Sequence, residues 1–165
     1  MRDTFQVTFN AGVSLTWYQW QFTGGIQLDY QPNPFLGLGL KTTADYGFKY
    51  GNLNINIYAL YKLWWLYFGP GVSFLVQHMV LPPGDPDYVK ILQNPASASL
   101  AITMGLRFPF VRVGPGHMTL DFSIDWYQTD YPLTGTPPLI GSYLSDTING
   151  AVYAFKPSIR LGYTF

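Results

Sequence analysis

Four charged residues near the C-terminus have the spacing of an interior ion cluster. Asp121 and Asp125 lie four residues apart, and Lys156 and Arg160 repeat that spacing. Side chains on a β-strand alternate between faces, so each couple shares one face. On antiparallel neighbours the numbers of opposed residues have a constant sum, and a sum of 281 sets both acids opposite both bases at once. Arg107, on the preceding strand, is expected to join Asp121 diagonally.

This cluster has three interpretations. Charges enclosed by a barrel must be paired or hydrated, because an isolated buried charge is very costly. The favoured interpretation is a structural plug, in which the five side chains fill a narrow lumen. The alternative is a gate or selectivity element in a conducting pathway. Acid–base catalysis is the least favoured, since paired ions are not poised near neutral pH.

A second set of inward residues is apolar and aromatic. On two strands in the middle of the chain, the inward side chains are Tyr58, Leu60, Trp65, Tyr67 and Leu75, beside Gly69 and Gly71. Such a wall could receive an apolar ligand. The favoured interpretation is that large rings next to glycines fill the interior of an eight-stranded barrel, which is about as wide as its side chains.

Neither histidine has the partners of a catalytic site. His78 is followed by Met79 and Val80, so it lacks the nearby serine of outer-leaflet lipid A deacylases. His117 stands two residues before Thr119, but at the end of the barrel predicted to face the periplasm. The sequence contains no metal-ligand spacing, phosphate-binding glycine loop or Gly-x-Ser-x-Gly elbow. We therefore expect no catalytic residue, no metal and no cofactor.

The composition excludes several classes of protein. At 165 residues the chain is predicted to form one domain, residues 1–165. Only 11% of its residues are charged, whereas ordinary soluble domains carry about 25%. The net charge is zero and there is no basic stripe, which argues against nucleic acid as a partner. Without cysteine there can be no disulfide and no Cys-ligated zinc.

Two features bear on how the chain meets a membrane. Met1-Arg2-Asp3 runs straight into the first strand without a signal peptide, so we expect a mature chain with an added start Met. The most hydrophobic stretch, Leu63–Val76, is shorter than the roughly 20 residues of a membrane helix. Gly69-Pro70-Gly71 also interrupts it. Crossing by strands is the remaining possibility.

Alternation of apolar and polar residues predicts where the strands lie. In Thr4–Tyr18 the odd positions are apolar and the even ones polar or small. A strand crossing a bilayer needs about 9–11 residues, with apolar side chains towards lipid and polar ones inward. Seven further stretches repeat the pattern: Trp20–Tyr30, Phe35–Lys41, Asn52–Tyr61, Trp64–Gln77, Ala96–Arg107, Met118–Tyr127 and Tyr153–Phe165. The longer connections are predicted at Thr42–Gly51, Met79–Pro95 and Gln128–Gly150, and a turn is predicted at Phe108–Gly116.

These elements predict an all-β fold, an eight-stranded antiparallel up-and-down transmembrane β-barrel. Tight connections are expected at Tyr18-Gln19 and Tyr61-Lys62-Leu63, and a short helix over Asp87–Gln93. Connections after the third, fifth and seventh strands are longer, and bacterial barrels keep longer loops outside, so both termini are predicted to be periplasmic. Aromatic girdles are expected from Trp17, Trp20, Trp126 and Tyr127 at the outer rim, and from Tyr30, Tyr61, Trp64, Phe108 and Phe165 at the inner rim.

The final strand carries a likeness to a known class of protein. Its apolar residues are Ile159, Leu161, Tyr163 and the terminal Phe165, alternating with small and polar ones. A terminal strand of this kind is similar to the signal that the barrel-insertion machinery reads. As architecture, the whole chain resembles the small bacterial outer-membrane barrels of the OmpA transmembrane domain, OmpX and OmpW kind, without matching one family.

The resemblance implies a setting and a function. The setting is the outer membrane of a Gram-negative bacterium, with the lipid bilayer, lipopolysaccharide and the barrel-assembly machinery as partners of a monomer. We expect a structural barrel that displays surface loops above a largely plugged polar lumen. The alternative is a narrow, OmpW-like channel or conduit for small solutes, hydrophobic ones among them. An outer-leaflet lipid-modifying enzyme is least favoured, because catalytic partners are missing.

Overall fold

The computed structural model describes residues 4–15, 20–33, 35–47, 52–77, 96–129, 145–148 and 151–165. These residues form nine strands: β1 (Thr4–Leu15), β2 (Trp20–Gln31), β3 (Leu36–Gly47), β4 (Asn52–Leu63), β5 (Leu66–Gln77), β6 (Ala96–Val113), β7 (Gly116–Thr129), β8 (Ser145–Ile148) and β9 (Ala151–Thr164). Within the described ranges no helix has the length and apolar character needed to cross a membrane.

The strands close into a barrel. Each of β1 to β6 pairs with the following strand, β7 pairs with β9, and β9 pairs with β1. Every pair is antiparallel. The predicted eight-stranded antiparallel barrel is therefore confirmed. The short β8 is a ninth strand outside this ring, and it pairs with the first residues of β9.

The two faces of the barrel have opposite chemistry. Side chains that point inward are mostly polar and buried, such as Thr8, Gln27 and Asn56. Those that point outward are mostly apolar and exposed, such as Phe22 and Leu40. The alternation in the sequence matches this division, because successive residues of a strand face opposite sides.

The register makes the barrel strongly sheared. Successive paired residues, followed round the barrel from Thr8, lead to Ala154 on β9. Thr8 itself pairs with Thr164, ten residues away from Ala154 on the same strand. Such a stagger requires strands tilted by about 35–45° to the barrel axis. With eight strands the interior is about one layer of side chains wide, so residues from opposite walls can touch.

Two strands continue through segments that the sequence predicted as a loop and a turn. β3 continues to Gly47 through most of the predicted loop Thr42–Gly51, keeping its alternation of buried and exposed side chains. β6 continues to Val113 through the predicted turn Phe108–Gly116. Proline has no backbone N–H to donate to the sheet. The strand nevertheless continues past Pro109, where the register between β6 and β7 shifts by one residue.

One of the two tight turns at one rim differs from its predicted position. β4 runs to Leu63, so the connection predicted at Tyr61-Lys62-Leu63 is wrong, and the turn is formed by Trp64 and Trp65. Trp64 has a φ of 59°, a left-handed conformation that usually favours glycine. The two indole rings stack with centroids 4.1 Å apart, and the Trp64 N–H donates to the carbonyl of Phe35 at 2.8 Å. Glycine serves the other turn, where Gly114 has a φ of 58°.

At the opposite rim the sheet extends beyond the closed ring. β7 reaches Thr129, inside the predicted loop Gln128–Gly150, and β9 starts at Ala151, directly after that loop. β1 pairs with β9 only up to Ser14, opposite Ser158, and β8 takes the same edge of β9 further along. The predicted connection Tyr18-Gln19 and helix Asp87–Gln93 lie outside the described residues.

Candidate functional site

The structure brings the predicted ion cluster together inside the barrel. β7 and β9 pair with the predicted sum of 281, so that Asp121 lies opposite Arg160 and Asp125 opposite Lys156. Arg160 Nη2 is 3.0 Å from Asp121 Oδ1, and Lys156 Nζ is 3.2 Å from Asp125 Oδ2. Arg107 lies directly opposite Asp121 on β6, so the predicted diagonal contact is wrong.

Asp121 is the most highly connected carboxylate of the interior. Arg107 donates to its Oδ2 from Nε at 3.1 Å and from Nη2 at 2.8 Å. Its Oδ1 accepts from Arg160 Nη2 at 3.0 Å and from the Tyr67 hydroxyl at 2.8 Å. Charge-assisted hydrogen bonds of this kind are stronger than neutral ones, so Asp121 ties β5, β6 and β9 to β7.

The ionic contacts reach further down the interior than predicted. Asp29 on β2 lies 2.8 Å from Lys62 Nζ and 3.5 Å from Arg107 Nη1. Arg107 also donates to Gln27 Oε1 on β2. We call Asp29, Lys62, Arg107, Asp121 and Arg160 the Asp121 cluster.

A second cluster lies above the first. Lys156 contacts Asp45 on β3 as well as Asp125, and Asn56 donates to Asp45 Oδ2 at 2.8 Å. Lys41 Nζ is 3.9 Å from Asp125 Oδ1. We call Lys41, Asp45, Asp125 and Lys156 the Asp125 cluster.

The side chain of Tyr67 joins the two clusters. Lys41 Nζ donates to the Tyr67 hydroxyl at 3.1 Å, and that hydroxyl donates to Asp121. The nine charged residues thus form one network, and each of them is at most 8% exposed. Each carboxylate faces at least one cation, an arrangement that holds the side chains in place.

The sequence pointed to five of the nine charges and missed four. Asp29 and Lys41 occupy inward positions of predicted strands, but their partners lie across the lumen, and strand register identifies only neighbours. Asp45 fell in the predicted loop and Lys62 in the predicted connection. Correct strand ends would have given both residues inward parity.

The predicted aromatic wall is present in part. Tyr58, Leu60 and Tyr67 are buried and form an apolar cluster with Ala101. Trp65 is 41% exposed in the β4–β5 turn, so its predicted inward orientation is wrong: the two-residue turn interrupts the alternation. The side chain of Leu75 lies outside the described part of the structure.

Lys41 covers the aromatic wall on the side of the lumen. Its Nζ lies 4.8 Å from the centre of the Tyr67 ring and 5.6 Å from that of Tyr58. Both distances are within cation–π range. The rings therefore pack against the charged network, as expected of residues that fill space.

The structure describes one of the two histidines. His117 is exposed at the start of β7. His78 lies outside the described residues. No group of three or more His, Cys, Asp or Glu side chains in the described ranges could hold a metal ion.

Aromatic residues at the end of the C-terminal strand contact neighbouring parts of the barrel. Ile159 and Leu161 are exposed on the outer face. Phe165 lies edge-on to Phe9, with ring centroids 6.1 Å apart, and 4.6 Å from Tyr163. The Tyr163 hydroxyl donates to the carbonyl of Val113 at 2.6 Å, which joins the last strand to the β6–β7 turn.

Comparison with known proteins supports the architecture. The crystal structure of Neisserial surface protein A (NspA) is similar to this chain, with a TM-score of 0.52 and 15% identity over 99% of this chain and 98% of the neisserial one. No protein family matches the chain in sequence, and no curated protein matches it. The likeness is therefore one of fold: this chain and the neisserial protein share an eight-stranded barrel.

Proposed function

We propose that the chain is an integral outer-membrane barrel protein whose interior is closed by its charged network. The observation that carries the proposal is the network itself, nine charged side chains joined across the lumen and almost completely buried. In such an arrangement the charges act as a plug. The barrel then serves as a rigid support for its loops, with a structural or surface-interaction role.

The outer face supports a membrane location. Its apolar side chains include Phe9, Phe22, Leu40, Phe74 and Leu100, all exposed in the isolated chain. An exposed apolar surface that surrounds a protein requires a nonpolar environment. The fold shared with an outer-membrane surface protein agrees with the outer membrane of a Gram-negative bacterium.

The aromatic residues and the loop lengths support an orientation. Trp64, Trp65 and Phe108 gather at the rim that carries the two tight turns, with Trp65 and Phe108 ring centroids 5.2 Å apart. Short turns characterise the periplasmic side of bacterial barrels. Both termini are then periplasmic, and the longer connections, with β8, face outwards.

Further properties follow from this assignment. The partners are the bilayer, lipopolysaccharide and, during insertion, the barrel-assembly machinery, which reads the strand that ends in Phe165. We propose that the protein acts as a monomer. We also propose that it is not an enzyme, because every carboxylate of the interior faces a cation. The conduit for hydrophobic solutes has less support, because Lys41 covers the aromatic wall.

Ion conductance in planar bilayers tests the proposal. The wild-type barrel should conduct little, and the double variant Asp121→Ala/Arg160→Ala should conduct more, because it removes two side chains that meet in the lumen. The matched control is Phe122→Ala/Ile159→Ala, a neighbouring pair of the same two strands on the outer face. It should leave conductance unchanged.

Two results would contradict the plug. High conductance of the wild type would show an open lumen. Unchanged conductance in a folded Asp121→Ala/Arg160→Ala barrel would show that these residues do not block it. Swelling of liposomes with solutes of graded size and polarity would then measure which solutes pass.

A further inference from the structure

A groove opens on the outer face of the barrel, next to the rim that carries the tight turns. It has a volume of about 380 Å³, which is within the usual range of ligand pockets. Its lining includes six outward side chains of β2 to β5: Tyr30, Leu36, Leu38, Tyr61, Leu63 and Phe68. Lys62 also borders the groove, but its Nζ contacts Asp29 in the lumen, so its charge is turned away from the outer face.

The strand register explains why a groove forms at this place. Leu38 on β3 lies opposite Tyr30 on β2 and opposite Tyr61 on β4, and Tyr61 lies opposite Phe68 on β5. A leucine between two tyrosines leaves a depression along β3, because its side chain is shorter than theirs. The rings of Tyr61 and Phe68 stack with centroids 5.9 Å apart, which holds one flank of the groove in place.

Two hydrogen-bonded turns hold the end of the groove at the rim. Asn33 Oδ1 accepts from the backbone N–H groups of Phe35 and Leu36, both at 2.9 Å. The Trp64 N–H donates to the Phe35 carbonyl, which joins the β4–β5 turn to the chain before β3. The groove is therefore formed by the fold itself and needs no ligand to shape it.

We propose that this groove binds one acyl chain of a phospholipid of the periplasmic leaflet. The inference rests on the proposed function, which puts the outer face in a bilayer and the rim with the tight turns on the periplasmic side. An acyl chain suits the apolar lining. The two tyrosines suit the boundary between hydrocarbon and head groups, because each joins an apolar ring to a hydroxyl that forms hydrogen bonds.

Van der Waals contact distinguishes this acyl chain from the others around the barrel. Lipid tails are as apolar as leucine, so the removal of apolar surface from water gives no preference for one place on the outer face. A chain in the groove lies against Leu38 and is flanked by Tyr30 and Tyr61, so it makes more dispersion contacts than a chain on a flat part of the barrel. One phospholipid should therefore be held more tightly than its neighbours.

Native mass spectrometry of the wild-type barrel, titrated with phosphatidylethanolamine in a mild detergent, tests for the lipid directly. One lipid should be retained per barrel at concentrations at which further lipids are not. A barrel that retains no lipid, or that takes up lipids without a distinct first site, would overturn the proposal. A second copy of the chain retained in place of the lipid would also overturn it. This measurement needs no variant, so it does not depend on any substitution being tolerated.

Two tryptophan variants locate the lipid. Leu38→Trp fills the depression between the two tyrosines, and it should lower the ratio of lipid-bound to lipid-free barrel about tenfold or more. Leu161→Trp is the matched control, because Leu161 is also an outward leucine, 49% exposed against 55% for Leu38, and lies on β9 between Ala11 and Leu120. It should keep the wild-type ratio. Equal ratios in the two folded variants would refute the assignment to this groove.

Insertion into lipid vesicles separates this proposal from the proposed function. A wild-type barrel that inserts and conducts little, but retains no lipid, would overturn the groove assignment and leave the plugged outer-membrane barrel standing. A barrel that does not insert would overturn the proposed function and the groove assignment with it. Retention of lipid A in preference to phospholipid would place the groove in the outer leaflet, and would overturn both the choice of lipid and the proposed orientation.

Discussion

Two arginines contact Asp121. We therefore expect the loss of Asp121 and the loss of Arg160 to lower the stability of the barrel by different amounts. If Asp121 loses its charge, Arg107 keeps Asp29 at 3.5 Å, whereas Arg160 keeps a hydrogen bond only to the uncharged Ser123 hydroxyl among the described residues. If Arg160 is removed, Asp121 keeps Arg107 at 2.8 Å and Tyr67 at 2.8 Å. Removal of the acid should therefore destabilise the barrel more than removal of the base.

The magnitudes follow from what each substitution leaves behind. Asp121→Asn is nearly isosteric and leaves the buried Arg160 without the carboxylate that it contacts directly, and breaking a buried pair in this way typically costs about 3–5 kcal/mol. Arg160→Met keeps most of the volume and loses a charge-assisted hydrogen bond, about 1.5–3 kcal/mol. It also removes one of the three cations that the Asp121 cluster holds against two carboxylates, which offsets part of this loss. The double variant should be more stable than Asp121→Asn alone, because no unpaired Arg160 remains.

Urea unfolding in lipid vesicles, followed by tryptophan fluorescence, measures these free energies. A gel band that shifts on boiling checks that each variant is folded at the start. The reasoning fails if Arg160→Met costs as much as Asp121→Asn, or if the costs of the two single variants simply add in the double variant. Either result would mean that water, and not the second arginine, compensates the broken pair.

Two further predictions concern the outer face and a turn. Ile57→Arg should destabilise the barrel in vesicles by about 2–4 kcal/mol if Ile57 lies near the bilayer midplane, whereas Phe5→Arg, at the strand end, should cost about 0–1 kcal/mol. Equal costs in the same unfolding assay would mean that the membrane depth is wrongly assigned. Trp64→Ala and Trp64→Gly both delete the indole, but the alanine variant should be less stable by about 1 kcal/mol, because only glycine accepts the positive φ freely. The opposite order would show that the left-handed turn is not retained.

The fold was predictable because alternation is a strictly local signal. For Asp121 and Arg160, the alternation along each strand predicted that they face inward. The constant sum of opposed residue numbers, 281, predicted that they pair. Predictions from the alternation were wrong near the ends of strands. Trp65 was expected inside and lies in a turn, and Asp45 was expected in a loop and lies in β3.

The network across the lumen could not be read from the sequence. Lys156 reaches Asp45 and Lys41 reaches Tyr67 because the barrel is narrow and its strands are tilted. These contacts depend on the shear of the closed ring, which is a property of all eight registers together. Periodicity within one strand carries no information about it.

The contacts across the lumen also bear on how the barrel reaches its final register. Lys156 and Asp45 are 111 residues apart in sequence, and Arg107 and Gln27 are 80 apart, so no hairpin of adjacent strands can form either contact. A slip of two residues between neighbouring strands keeps every apolar side chain outside, but it moves each charge by about 7 Å from its partner. The apolar face therefore tolerates several closed rings, whereas the charges match in one. We therefore expect the ion network to favour the native ring over mispaired ones at barrel closure, because a mispaired ring leaves buried charges unmatched.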